Sequence, residues 1–246
     1  MAGAIRIGIG GWTFEPWRGS FYPAGFPQSK ELHFASRELT SIEINGTYYS
    51  TFRPANWQKW HDETPEDFVF AVKASRYCTN RKVLAEAGPS IERFLAQGIS
   101  RLGSKLGPVN WQFMPTKKFD ADDFYAFLRL LPRQFDGLEL RHALEVRHPS
   151  FATPEFYELA REHGAAIVCA KDEDFPDIDQ PTAGFTYARL MTTCDDEPVG
   201  IPKAGLQAMS KKLRQWAKRG DVFAYFISGA KERNPLAARA LIAKLS

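Results

Sequence analysis

Six apolar runs in this 246-residue sequence pass into polar side chains at or just beyond a strand-like stretch. Five read Ile42-Glu43-Ile44-Asn45, Phe70-Ala71-Val72-Lys73, Val109-Asn110-Trp111-Gln112, Leu144-Glu145-Val146-Arg147 and Ala170-Lys171-Asp172, and in the sixth Arg189 follows Tyr187. Strand side chains alternate between two faces. If Ile42, Ile44, Leu144 and Val146 face a layer of helices, Glu43, Asn45, Glu145 and Arg147 face the other way. Carboxylates, a lysine and arginines then share one concave, partly dry volume. Opposed charges in such a place shift each other's pKa values, bind anions and move protons. For any one of these residues a structural salt bridge is an equal expectation. For the group, a ligand site is the stronger one, because burying so many charges is costly unless they are paired or bind something.

On this basis Glu145 is the expected general acid or base, with Lys73 and Glu43 beside it as the other catalytic candidates. Lys73, Arg147 and Arg189 are expected to hold anionic groups, Glu43 and Asn45 to orient the substrate or Lys73, and Gln112 and Asp172 to bind ligand. The expected ligand is small and polar, bearing a sugar or a phosphate. Aromatic rings crowd the segments after the first two strands: Trp12, Phe14, Trp17, Phe21 and Tyr22, then Tyr48, Tyr49 and Phe52. Most are expected to pack a lid. Trp12 and Tyr48 are the two on which a sugar or base could stack.

Other chemistries have less support. Among the histidines only His148 lies near an expected strand end, and no HxxxH or HExxH spacing occurs. A carboxylate-bound Mg²⁺ on Glu43, Glu145 and Asp172 ranks below a metal-free site. No G-x-G-x-x-G follows the first strand and no G-x-S-x-G elbow is present, so no cofactor is specified and a serine nucleophile is disfavoured. Cys78, Cys169 and Cys194 are too few and too widely spaced for a disulfide framework, which fits a reducing cytoplasm. Cys169 lies in an apolar run and reads as inert core. The excess of only +3 charges argues against a general nucleic-acid coat. No membrane partner is expected: no apolar stretch approaches span length, and no basic region followed by an apolar one marks a secretory leader.

The elements that must position these residues alternate. Strands are expected at Ile5–Gly10, Ser41–Asn45, Phe68–Lys73, Val109–Phe113, His142–Arg147, Ala165–Lys171, Phe185–Met191 and Val222–Ile227. Helices are expected over Lys30–Arg37, Pro54–Asp62, Ser90–Arg101 with Ser90 as N-cap, a helix opened by Asp120, Pro154–His163 capped by Thr153, Gly205–Arg219 and Pro235–Leu245. The acidic, proline-marked stretch Asp172 to Gly184 reads as an excursion. About eight β–α units predict an α/β fold, a TIM-type barrel of parallel strands with surrounding helices, as one domain over 1–246. An open doubly wound sheet is the runner-up. Enzymes of the barrel class place their sites at the C-terminal ends of the strands, where the polar residues above fall.

Several segments together resemble the YecE-like family, a bacterial domain of unknown function. They are Gly10-Gly11-Trp12, Trp17-Arg18-Gly19, Phe21-Tyr22-Pro23, Ile42-Glu43-Ile44-Asn45 with Thr47-Tyr48-Tyr49, Thr64-Pro65, Phe70-Ala71-Val72-Lys73-Ala74, Leu106-Gly107-Pro108 and Glu145-Val146-Arg147-His148-Pro149-Ser150-Phe151. The resemblance covers nearly the whole chain. It implies a TIM-type barrel distantly similar to xylose isomerase and the endonuclease IV group, and no established activity. The chain departs from the family pattern at Asn80 and Met191, where histidines are usual, and after the eighth strand, where Phe226-Ile227-Ser228-Gly229 replaces the usual Phe-Asn-Asn. Three readings follow: an enzyme acting on a sugar- or phosphate-bearing substrate, a repair-like nucleic-acid-binding protein, or a non-catalytic binding or scaffold barrel. The departures favour the last modestly.

Overall fold

A computed structural model describes residues 2–172 and 174–246. Eight parallel strands form a nearly closed ring: β1 (Ile5–Gly10), β2 (Ser41–Ile44), β3 (Val69–Lys73), β4 (Leu106–Gln112), β5 (His142–Glu145), β6, β7 (Phe185–Leu190) and β8 (Asp221–Phe226). β6 is two short segments, Ala166–Ile167 and Cys169–Lys171. The first pairs with β5 and the second with β7, so among the described residues the ring is broken at Val168. β8 pairs with β1 and completes the circle. Around it run α1 (Glu31–Glu38), α2 (Pro54–Glu63), α3 (Arg76–Thr79), α4 (Gly88–Leu95), α5 (Ala121–Leu130), α6 (Pro154–Glu162), α7 (Lys203–Ala217) and α8 (Asn234–Leu245). The expected TIM-type barrel is the observed one, and no described helix is long and apolar enough to cross a membrane.

Strand alternation separates two cores. Ile7, Ile9, Ile42, Ile44, Leu144 and Val146 belong to the outer layer, between strands and helices. Ala71, Ala143, Val168, Tyr187, Phe223 and Tyr225 fill the inside of the ring. That inner layer is a packed floor, as small barrels require. Gly8 belongs to the same tight region, since a Cβ there would stand 1.8 Å from the Ser41 carbonyl oxygen. Above the floor the inward side chains turn polar.

Local signals explain most element ends. The Asp120 carboxylate accepts the Asp123 N–H at 3.0 Å and opens α5. Thr153 accepts the Phe156 N–H and opens α6, which stops at Gly164 with φ +62°. The expected helix from Ser90 to Arg101 is corrected. α4 begins at Gly88 with Pro89 in its first turn, and Ser90 lies inside, its hydroxyl accepting from Arg81 at 3.2 Å. The helix ends at Leu95, and a 3-10 segment follows Gly98, whose φ of +109° an α-helix cannot hold. β4 starts earlier than expected, at Leu106, and takes in Pro108. The proline is tolerated because the β3–β4 register slips between Phe70 and Val72, next to it. A short hairpin, Gln134–Phe135 with Leu138–Glu139, was not legible in the apolar pattern.

Candidate functional site

The second strand delivers Glu43 to the inner face, the fourth Asn110 and Gln112, the fifth Glu145, and the seventh Tyr187 and Arg189. All six are buried. Register does the rest, since Gln112 is the direct β4 partner of Glu145 on β5. The Arg189 guanidinium lies between the two carboxylates. Its Nη1 donates to both Glu145 oxygens at 2.8 and 2.9 Å, and its Nη2 to Glu43 at 3.1 Å. Glu145 also accepts from Gln112 at 2.7 Å, from Asn110 at 3.0 Å and from Arg147 at 2.7 and 3.0 Å. Glu43 accepts from the Tyr187 hydroxyl and from Asn110 at 3.3 Å. Burial pushes the Glu145 carboxyl up, but Arg189, then Arg147 and Lys73, overcome it and hold the group well below the usual carboxylate range. Burial lowers the Arg189 guanidinium, and the two glutamates more than restore it. Burial, then the Glu43 charge, raise the Tyr187 phenol well above its ordinary value, so it remains a donor.

This network is the floor of a cavity of about 350 Å³ at the barrel mouth. Its walls include Asn45, Tyr49, Lys73, Gln112, Arg147, Arg189, Ser228 and Lys231. Lys73 is 8% exposed, and its ammonium stands 4.6 Å above the Tyr48 ring. Burial, then the neighbouring Arg189 charge, lower it to about 8. The Asn45 Oδ1 and Arg189 Nε atoms are buried without hydrogen-bond partners among the described residues. An adjoining recess of about 320 Å³ shares Gly10, Asn45 and Lys231 with the mouth and is walled by Trp12, Phe52 and Trp60.

The expected residues therefore separate into groups. Glu43, Glu145 and Arg189 form the floor. Lys73, Asn45, Gln112 and Arg147 face the cavity, and Tyr48 supports Lys73 while its hydroxyl accepts from Asn80 at 3.0 Å. Trp12 packs edge-on against Trp60 at 5.3 Å and lines the adjoining recess. Asp172 accepts the Asp174 N–H at 2.8 Å and is absent from the cavity wall. Arg189 thus occupies the place between the carboxylates that a cation bound by Glu43, Glu145 and Asp172 would need. Among the described residues no three His, Cys, Asp or Glu side chains are grouped to hold a metal. Asn110, Tyr187 and Lys231 were not singled out from the sequence. Asn110 and Tyr187 lie two residues before Gln112 and Arg189, so the same alternation could have found them. Lys231 opens a short 3-10 helix after β8 and has no such period. The family departures sit at this end too: Ser228 adopts φ +65°, and its carbonyl accepts from Asn234 at 3.1 Å.

A parallel β/α barrel whose strand ends bury an arginine-bridged pair of carboxylates under a cationic cavity is the class of molecule this is. The chain belongs to the family described as "Protein of unknown function DUF72", which matches residues 6–246. It is 32% identical over 160 residues to the UPF0759 protein YunF of Bacillus subtilis, covering 63% of this chain and 54% of that protein. It is 26% identical over 149 residues to the UPF0759 protein YecE of Escherichia coli, covering 60% of this chain and 50% of that one. The matched segment thus spans about half the length of these curated relatives. A DUF72 family protein of Thermotoga maritima superposes with TM-score 0.77 at 22% identity over 98% of both chains. D-psicose 3-epimerase superposes with TM-score 0.59 at 13% identity over 97% of both. At these identities the two structures attest the fold alone. The YecE-like resemblance carried by the motifs is borne out.

Proposed function

We propose that the barrel mouth binds a small anionic ligand, a sugar phosphate or sugar acid, with its negative group among Lys73, Arg147, Arg189 and Lys231. The sign of the charge carries this reading. The four side chains on the cavity wall that carry charge at neutral pH are basic, and among the described residues no Asp or Glu lines it. Both oxygens of each carboxylate beneath already accept hydrogen bonds. Charge-assisted hydrogen bonds from guanidinium groups suit a phosphate or carboxylate. The unpaired Arg189 Nε and Asn45 Oδ1 supply one donor and one acceptor for hydroxyl or phosphate oxygens. The recess beside Trp12 has room for the apolar face of a sugar, in keeping with the epimerase that shares the fold.

Inorganic phosphate and glycerol 3-phosphate are therefore expected to raise the melting temperature, by about 1.4 kcal/mol of stability at tenfold their Kd. Lys231→Met and Arg147→Met are each expected to weaken that binding roughly tenfold or more, the range for a hydrogen bond to a charged group. A titration calorimeter that records no heat for either ligand with the parent protein sinks the reading.

A second reading rests on another surface. Residues 203–246 hold ten Lys and Arg against two Asp and Glu, although the whole chain has an excess of only +3. Lys211, Arg214, Lys218 and Lys244 converge on an open groove of about 650 Å³ between α7 and α8, on the outer wall of the barrel. Such a groove suits a nucleic-acid backbone. Four phosphate contacts predict that log K for duplex DNA falls with log salt at a slope of roughly −3.5. Binding that ignores salt, or is absent at about 50 mM salt, removes this reading.

A further inference from the structure

Among the described residues two lysines are buried, and they are treated differently. Lys105, 4% exposed, donates to the His61 carbonyl, the Thr64 carbonyl and the Thr64 hydroxyl at 2.5, 2.8 and 3.2 Å. That is the bonding a buried structural ammonium requires. Lys73, 8% exposed, has no hydrogen bond and no ion pair to its Nζ among the described residues. The carboxylates that might have held it, Glu43 and Glu145, are bound to Arg189, with Arg147 on Glu145 as well. The ring of Tyr48 is a weak partner by comparison. The amine opens onto the cavity at the end of β3, flanked on the same wall by Arg147 and Arg189.

We propose that Lys73 is a nucleophile that forms an iminium with the carbonyl carbon of an anionic ligand, an aldehyde or ketone bearing a carboxylate or phosphate. The proposal deepens the anion-binding reading and rests on it. The amine lone pair attacks the carbonyl carbon, and the C–O π pair moves to oxygen. A proton passes from nitrogen to that oxygen and gives the carbinolamine. Protonation of its hydroxyl from solvent at the open mouth lets one water leave, and the nitrogen lone pair closes the C=N bond. No oxidant or reductant is consumed. Arg147 and Arg189 hold the anion while Asn45 and Gln112 meet its hydroxyl groups. Burial and the Arg189 charge, against which Glu145 and Glu43 act, lower Lys73 to about 8. At pH 7 roughly two-hundredfold more of it is then neutral than of an ordinary exposed lysine.

The test is reductive alkylation by glyoxylate, a small carbonyl-bearing anion, with cyanoborohydride at pH 7. Only a C=N intermediate is reduced, so peptide mass mapping reports where iminium forms. Lys73 is expected to gain a carboxymethyl group at least tenfold faster than exposed Lys59. Inorganic phosphate is expected to slow Lys73 and leave Lys59 unchanged. Lys73→Arg, which keeps the positive charge, is expected to abolish the fast adduct without altering the rate at Lys59. If Lys73 reacts no faster than Lys59, the inference is overturned, and a phosphate-induced rise in melting temperature in the same preparation leaves the anion site standing. If formaldehyde labels Lys73 as selectively as glyoxylate does and phosphate protects against neither, Lys73 is merely reactive, and both readings fall.

Discussion

Arg189→Met is expected to destabilise the fold by about 3–5 kcal/mol at pH 7, the cost of leaving buried charge without its partner. Two carboxylates lose a donor at once, and both are fully buried. Urea unfolding of parent and variant measures the difference. In the parent, Glu145 is held below its unfolded value, so its contribution is complete above about pH 4.3 and is lost only as pH falls through the lower folded value. In the variant the burial remains and the largest opposing charge is gone, so its folded pKa rises relative to the parent. Protonation then relieves the variant first, and the stability gap narrows as pH falls. The triple change Glu43→Gln, Glu145→Gln and Arg189→Met removes the charges together and is expected to recover most of the loss. A single variant as stable as the parent, or a gap that widens with acid, would contradict the bridging role given to Arg189.

The period of two made the inner face legible. Ile42, Ile44, Leu144 and Val146 face the helices as their alternation requires, and so Glu43 and Glu145 face inward. Helix caps were legible where the capping side chain is adjacent in sequence, as at Asp120 and Thr153. What could not be read was pairing at a distance. That Arg189 reaches both Glu43 and Glu145 depends on β2, β5 and β7 meeting across a ring, at separations that no local pattern encodes. The roles within the group consequently look different in three dimensions. Glu145, the natural general base by position, accepts donors on both oxygens, and Lys73 is a buried ionisable group with no hydrogen bond or ion pair among the described residues. The break in β6 at Val168 and the slip beside Pro108 likewise reflect closure of the ring rather than local propensity. Asp172 follows a strand end like the others but accepts the Asp174 N–H, because the excursion after β6 begins there.

Glu145→Gln separates a residue that moves protons from one that holds the floor together. A floor residue predicts a loss of about 3 kcal/mol, since an amide offers Gln112, Asn110, Arg147 and Arg189 one acceptor oxygen in place of two and no charge. It also predicts a change at Lys73. Burial is the largest effect on that amine, Arg189 lowers it further, and the charges of Glu145 and Glu43 pull it back up. Removing the Glu145 charge therefore lowers Lys73 below about 8, and Arg189→Met raises it above that value. The amine reacts when neutral, so its alkylation rate rises with pH through its own pKa. Mapped by mass spectrometry across pH 6 to 10, the midpoint for Lys73 is expected to fall in the order Glu145→Gln, parent, Arg189→Met. At pH 7 the Glu145→Gln protein, although less stable, is the fastest of the three to be labelled. A residue that only carries protons instead predicts an unchanged melting temperature with turnover lost, and a Lys73 that is labelled no faster than Lys59. If that pattern is found, Glu145 is the proton carrier and Lys73 an ordinary anion-binding ammonium.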